Sequence, residues 1–136
     1  MSDVRPNIFP AVRFADADAG VAFLKDAFGA TERAVHRGED GVIHHAELAL
    51  GAGVVMVGQH SQDGWLGGEA PRPLSSTVSI YVVVTDPDRH HAIAREAGAV
   101  IVRELEDTDY GSREYSVRDP EGNLWSFGTY DPYDVP

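Results

Sequence analysis

The chain repeats one pattern of segments, and this repeat limits the folds that it can adopt. Residues 9–16 lead into an amphipathic stretch ending at 28–30, and about seventy residues later 79–86 lead into another ending at 97–99. Each copy then continues through three extended segments. One helix covers only one face of a sheet, so each copy keeps a second face that can line a shared cavity. The repeat predicts an α+β fold of two βαβββ modules.

Cap residues and turns place the elements of both modules. Asp16 or Asp18 begins a predicted helix over 17–28, and Asp86 begins another over 87–97; Gly29 and Gly98 occupy the left-handed positions after them. Alternating apolar residues and glycine-containing turns predict the strands. We expect module 1 at about 7–59, with strands at 8–15, 31–37, 42–50 and 53–59; a linker at 60–76; and module 2 at about 77–130, with strands from 79 and near 99–105, 112–118 and 123–130.

The charge and composition exclude several kinds of function. With 22 acidic and 11 basic residues the net charge is −11, which disfavours binding to nucleic acid and to anionic membranes. The chain has no cysteine, so it can form neither a disulfide nor a thiolate metal site. The first residues lack the apolar core of a signal peptide, and no apolar run is long enough to span a membrane. We therefore expect a cytoplasmic protein.

Three segments carry a resemblance to a known family over essentially the whole chain. They are the helix end at 28–30, the strand His45-Ala46-Glu47-Leu48 and the run Val117-Arg118-Asp119-Pro120-Glu121-Gly122-Asn123-Leu124-Trp125. Together with the repeat they resemble the vicinal oxygen chelate superfamily, which includes glyoxalase I, bleomycin resistance proteins and extradiol dioxygenases. The resemblance implies a single glyoxalase-like domain of two curved half-barrel sheets. It also implies a homodimer, in which strands can be exchanged between protomers.

The same resemblance points to four positions where enzymes of the superfamily hold a divalent metal. In this chain those positions are Phe9, Met56, Ser79 and Ser126. Phenylalanine has no donor atom, a thioether prefers copper(I), and two neutral hydroxyls do not replace imidazole or carboxylate ligands. We therefore expect neither the usual metal site nor any other cofactor.

His45 and Glu47 lie two residues apart on a predicted strand, so their side chains share a face. A hydrogen-bonded pair on the surface explains them most simply. Ligand contact, acid–base catalysis and participation in a relocated metal site are the alternatives. Among the other histidines, His90 is expected to pack beneath the second helix, on the face that it shares with Ile93, Ala94 and Ala97, and His91 is expected to be exposed.

Strand alternation predicts which side chains face the cavity. Side chains from two loops are further candidates for the wall of the cavity. Trp65 in the linker either closes the pocket or packs elsewhere. Tyr110 with Arg113 either orients a planar ligand or forms a surface turn. The alternative to a pocket is that the facing side chains fill the space themselves. The predicted ligand-binding set is Phe9, Arg13, His45, Glu47, Met56, Trp65, Ser79, Tyr81, Tyr110, Arg113 and Ser126.

Two functions remain open at this point. The first is a metal-free protein that binds a small molecule, sequestering an aromatic or cationic, antibiotic-like compound as bleomycin resistance proteins do. The second is a glyoxalase-type lyase or isomerase, or a dioxygenase, with relocated metal ligands or with acid–base catalysis by His45 and Glu47.

Overall fold

Each copy of the repeat forms its own four-stranded sheet in the computed structural model, which describes residues 6–59 and 78–134. The chain divides into a first unit, Met1–Ala70, and a second unit, Pro71–Pro136. In the first unit the sheet order is β1-β4-β3-β2, and in the second it is β5-β8-β7-β6. The elements are β1 (Ala11–Phe14), α1 (Ala17–Phe28), β2 (Thr31–Arg37), β3 (Ile43–Leu50), β4 (Gly53–Gln59), β5 (Ile80–Val83), α2 (Pro87–Glu96), β6 (Val100–Asp107), β7 (Arg113–Arg118), β8 (Leu124–Gly128) and a short 3-10 helix (Pro132–Asp134).

The two sheets share one mixed topology. The first strand of each unit pairs in parallel with the last, and the remaining pairs are antiparallel. A parallel pair needs a crossover connection, which the helix and the two intervening strands supply. The predicted βαβββ order is confirmed in both units.

Both helices begin at an aspartate. The Asp16 carboxylate accepts a hydrogen bond from the Ala19 N–H at 3.1 Å, and that of Asp86 accepts one from the Arg89 N–H at the same distance. Gly29 and Gly98 follow the helices with φ values of 76° and 93°. These φ values lie in the left-handed region, which explains why both helices end at the predicted glycines.

The core of the first unit lies between α1 and the adjacent sheet face. Leu24 and Phe28 of the helix are buried there, together with Val12 and Phe14 of β1. The prediction that β1 begins at residue 8 is wrong: Ile8 is 84 % exposed, and the strand starts at Ala11. The apolar side chain of Ile8 nevertheless fits the alternation of residues that led to the prediction. The further core residues of β3 and β4 are Ala46, Leu48, Leu50, Val55 and Val57.

The core of the second unit is aromatic. Tyr115, Trp125 and Phe127 are fully buried, and the His90 ring lies 4.2 Å from that of Phe127, centroid to centroid. The prediction that His90 packs beneath α2 is therefore confirmed. The expectation that His91 is exposed is wrong, because its side chain is 12 % exposed, contacts Tyr115 edge-on and pairs with a carboxylate of β6.

The predicted buried face of α2 needs a second correction. Ile93 was expected to share that face with His90, but it is 45 % exposed. Pro87 and Ala94 are the buried residues of this helix. No helix among the described residues is long and apolar enough to cross a membrane.

Candidate functional site

Each sheet has a face that lies away from its helix, and we call it the open face. On the first sheet the register places Met56 of β4 beside Ala11 of β1 and Glu47 of β3. These positions alternate with the buried core residues, so their side chains point away from α1. Strand alternation in the sequence therefore identified this face correctly.

A groove of about 430 Å³ lies on the open face of the first sheet. Its apolar part combines an aromatic ring, a thioether and aliphatic groups, and charged side chains stand at its margin. This composition and size are typical of sites that bind small organic molecules. The groove is lined by Pro6, Phe9, Arg33, Glu47, Ala52, Val54 and Met56.

Glu47 provides an ionised carboxylate in the groove. Its Oε2 lies 3.0 Å from the Nε2 of His45, and the two side chains are 38 % and 42 % exposed. The hydrogen bond with His45 is the largest cause that lowers the pKa of Glu47 from its usual value, and the charge of Arg33 adds to it. The carboxylate therefore stays charged at neutral pH and within reach of a ligand.

Three of the predicted residues meet in this region, and a further one lies beside them. Phe9 and Met56 line the groove with Glu47, while Phe9 keeps 44 % of its surface exposed. Arg13 lies half-buried on β1, opposite Gly58 in the register. Sequence reasoning missed Arg33, because a register shift between Glu32 and Ala34 interrupts the simple alternation of β2.

The open face of the second sheet carries a network of polar side chains. The side chain of Glu114 is only 6 % exposed, and its carboxylate accepts hydrogen bonds from Arg103 Nη2 and the Tyr110 hydroxyl, each at 3.0 Å. Arg103 Nε also donates to Ser116 Oγ at 3.1 Å, and this hydroxyl lies 2.7 Å from Ser126 Oγ. Buried polar groups are thus matched with partners across β6, β7 and β8.

The pKa of Glu114 reflects two opposing influences. Burial raises it, but hydrogen bonds from Arg103, Ser112 and Tyr110 outweigh burial and lower the pKa from its usual value. Glu114 and Arg103 were missed by the sequence analysis. Along β7 the polar Glu114 and Ser116 alternate with Tyr115 and Val117. This alternation was the signal in the sequence that could have placed Glu114 on the open face.

Three tyrosines surround one side of this network. The Tyr130 ring contacts those of Tyr81 and Tyr110, at centroid distances of 6.5 and 5.8 Å. The Tyr81 hydroxyl donates to the Tyr130 carbonyl oxygen at 2.7 Å. Two of the predicted ligand-binding residues, Tyr81 and Tyr110, are therefore neighbours, through a tyrosine that the prediction did not include.

Arg113 lies apart from Tyr110, although the two were predicted to act together. Its guanidinium pairs with Asp88 of α2 at 2.9 Å and with Asp107 of β6 at 3.1 Å. Successive residues of a strand point to opposite faces, which is why Arg113 reaches the helix while Glu114 lies on the open face. Ser79 is exposed just before β5, and Trp65 lies outside the described residues.

The four positions that the family resemblance assigns to a metal do not fit a divalent ion. Phe9 and Met56 offer no hard donor, and the Ser126 hydroxyl is engaged with that of Ser116. Within residues 6–59 and 78–134, no three histidine, aspartate or glutamate side chains are grouped so that they can hold a metal ion.

The chain matches known proteins over most of its length. The model of the Glyoxalase/Bleomycin resistance protein/Dioxygenase superfamily matches residues 9–127. An uncharacterized protein of Mycobacterium bovis is 35 % identical over 129 residues, covering 93 % of this chain and 84 % of the relative. These matches confirm the family resemblance that the sequence motifs indicated.

Solved structures give the same result for the fold. The crystal structure of TioX from Micromonospora sp. ML1 is similar with a TM-score of 0.74 and 32 % identity, covering 90 % of this chain and 97 % of that one. The fosfomycin resistance protein FosX from Mesorhizobium loti has a TM-score of 0.69 at 15 % identity, covering 96 % of each chain. At that identity the similarity to FosX concerns the fold alone.

Proposed function

The chain belongs to the glyoxalase/bleomycin resistance protein/dioxygenase superfamily, and from this premise we propose that it binds and sequesters a small aromatic compound without using a metal. The groove on the open face of the first sheet is the observation that carries the proposal. Its apolar lining suits a flat hydrophobic ligand, and Glu47 suits a cationic group on that ligand. The bleomycin resistance proteins of the family supply the model for this activity, and an antibiotic-like compound is the proposed class of ligand.

The lining explains how such a ligand would be held. The exposed Phe9 ring offers a stacking surface, and the flexible Met56 side chain adapts to the opposite contour. The ionised Glu47 favours a positively charged substituent, and the net charge of −11 draws cations toward the chain as a whole. Arg33 provides a donor for a carbonyl or hydroxyl group of the ligand.

The proposal is tested with two flat tricyclic probes. 9-Aminoacridine is cationic at neutral pH, and acridine has the same ring system but is neutral. We expect 9-aminoacridine to bind more tightly, and Phe9→Ala or Met56→Ala to weaken binding of both probes by roughly fivefold to thirtyfold, the scale of one buried apolar contact. Calorimetry or fluorescence titration in about 150 mM salt, where long-range attraction is screened, measures this.

Glu47→Gln tests the role of the carboxylate in the groove, and Glu39→Gln is its matched control. Glu39 is exposed in the turn between β2 and β3, so both substitutions remove one negative charge but only Glu47→Gln alters the groove. Glu47→Gln should reduce the preference for 9-aminoacridine, and Glu39→Gln should leave it unchanged. Equal effects of the two variants, or unaltered affinity in Phe9→Ala and Met56→Ala, would overturn the assignment of the groove.

The His45–Glu47 pair favours acid–base catalysis as a second candidate function. A carboxylate 3.0 Å from an imidazole on an open face is able to orient that ring for proton transfer. If the pair is catalytic, His45→Gln should abolish turnover of a substrate while preserving its binding. If the protein only sequesters its ligand, incubation should return the compound chemically unchanged.

We extend the proposal to a homodimer, as the family resemblance implies. The second unit exposes apolar side chains near α2 and β6: Ile93 at 45 %, Val100 at 61 % and Val102 at 49 %. Burying such side chains against a second chain would remove them from water. Light scattering should then give a mass of twice the 14.7 kDa chain.

A further inference from the structure

The exposed tyrosines of the second unit form a cluster whose chemistry differs from that of the groove. We use the name tyrosine cluster for Tyr81, Tyr110 and Tyr130, which are 37 %, 59 % and 38 % exposed. The Tyr110 and Tyr130 planes meet at 86°, and those of Tyr81 and Tyr130 meet at 61°. The three rings are joined by edge-to-face contacts through Tyr130, and each tyrosine keeps more than a third of its surface open to solvent.

Hydrogen bonds hold these rings in place. The Tyr110 hydroxyl is fixed on the Glu114 carboxylate, and the Tyr81 hydroxyl is fixed on the Tyr130 carbonyl. Gly128 allows this approach, because a β-carbon there would lie 2.5 Å from Glu114 Cγ and 2.8 Å from the Tyr81 hydroxyl oxygen. The rings are therefore organised before any ligand arrives, which lowers the entropic cost of binding.

The charges behind the cluster are predominantly negative. Glu114 and Glu106 both approach Arg103, at 3.0 and 3.7 Å, so that two carboxylates share one guanidinium. The π faces of tyrosine rings attract cations, and the remaining negative charge adds to this attraction. An anionic ligand would meet repulsion at the same place.

We propose that the tyrosine cluster, with the Glu114 carboxylate behind it, is a binding site for the ammonium group of a small organic cation. The ligand class is a quaternary ammonium, which has no N–H donor, contacts ring faces and needs no hydrogen bond from the protein. The described residues of the site lie in the second unit, and the proposal does not rest on the function proposed for the groove.

The test compares choline with 3,3-dimethylbutan-1-ol, its neutral isostere, in a titration of the full chain labelled with carbon-13 in tyrosine. Choline should shift the ring signals of the tyrosine cluster, and the neutral alcohol should bind about tenfold more weakly or not at all. Sodium chloride at equal ionic strength corrects for screening. Equal binding of the two probes, or an absence of shifts at the three rings, would overturn the proposal.

Two variants locate the site and one controls for the substitution itself. Tyr130→Ala should weaken choline binding about tenfold, and Tyr110→Ala provides a second variant if the first disturbs folding. Tyr133→Ala removes a tyrosine that is 80 % exposed in the neighbouring 3-10 helix, and it should leave the affinity unchanged. Loss of binding in Tyr133→Ala, or retention in both cluster variants, would show that the assigned site is wrong.

Discussion

The two units share one topology, but the space between helix and sheet is filled by a strand residue in the first unit and by a helix residue in the second. In the first unit Phe14 of β1 occupies this space, and a β-carbon at Gly20 would lie only 2.4 Å from its ring. The fourth residue after the helix cap is Gly20 in α1 and His90 in α2. In the second unit His90 itself fills the space, against Phe127 and Tyr115. A large residue on the strand thus requires a small one on the helix, and the reverse.

The open faces differ as much as the cores. Ala11, Met56 and Glu47 stand side by side on the first sheet, whereas Tyr81, Ser126 and Ser116 occupy the corresponding places on the second. Met56 and Glu47 of the first row line the groove, whereas the second row consists of three residues with hydroxyl groups. The repeat therefore preserves the hydrogen-bonded topology, while the side chains of each open face differ in their chemistry.

The largest expected difference in stability concerns two aspartates in turns: Asp119 between β7 and β8, and Asp40 between β2 and β3. Asp119 is 4 % exposed, and its carboxylate accepts hydrogen bonds from the Glu121 and Asn123 N–H groups, the Asn123 side-chain amide and Trp125 Nε1. Asp119→Ala leaves the buried indole N–H without this partner and should lower the free energy of unfolding by about 3 kcal/mol. Urea denaturation followed by circular dichroism measures the loss.

Asp40→Ala is the matched control in the first unit. Asp40 is exposed in the β2–β3 turn and accepts one hydrogen bond, from the Val42 N–H. Its substitution should cost well under 1 kcal/mol, because water replaces the lost contact. Similar losses in the two variants would contradict a special structural role for Asp119.

The close packing of Gly20 in α1 against the Phe14 ring predicts an intermediate effect on the free energy of unfolding. Gly20→Ala pushes a β-carbon against the Phe14 ring and should destabilise the protein by about 2 kcal/mol, although alanine favours helix formation. Phe14→Leu should lose core volume when made alone but should partly rescue Gly20→Ala. A double-mutant cycle by denaturant unfolding tests this coupling. Additive effects would show that the two side chains do not compete for the same space.

The smallest predicted effect is a dependence on alkaline pH that arises in the second unit. Burial raises the pKa of the Tyr115 hydroxyl far above its ordinary value of 10.0. The stabilisation from this shift is complete below pH 10.0 and is lost as the pH rises beyond it, because the unfolded chain releases the proton first. Between about pH 9 and pH 11 the original protein should lose about 1 kcal/mol more stability than Tyr115→Phe.

Denaturation midpoints at the two pH values provide the measurement for Tyr115. Tyr133→Phe serves as the control, since Tyr133 is 80 % exposed. An identical pH dependence in Tyr115→Phe and the original protein would mean that Tyr115 remains protonated in the unfolded chain as well, or that it is accessible in the folded one.

Local patterns in the sequence determined the order of the elements and both helix boundaries. Aspartate caps and left-handed glycines act within a few residues of themselves, so their effect does not depend on the rest of the fold. Strand alternation likewise assigned Met56 and Tyr81 to the open faces. The same local rules placed His91 and Ile93 incorrectly, because the exposure of a helix residue depends on how the helix lies on its sheet.

Only the tertiary structure decided which side chains meet. Arg33 joins the groove through an irregular strand pairing, and Tyr130 joins Tyr81 and Tyr110 across 49 and 20 positions of the chain. Contacts between residues distant in sequence depend on register and on the direction of each side chain, which no local pattern encodes. The sequence thus determined the scaffold and the family, and three-dimensional packing determined the chemistry of each open face.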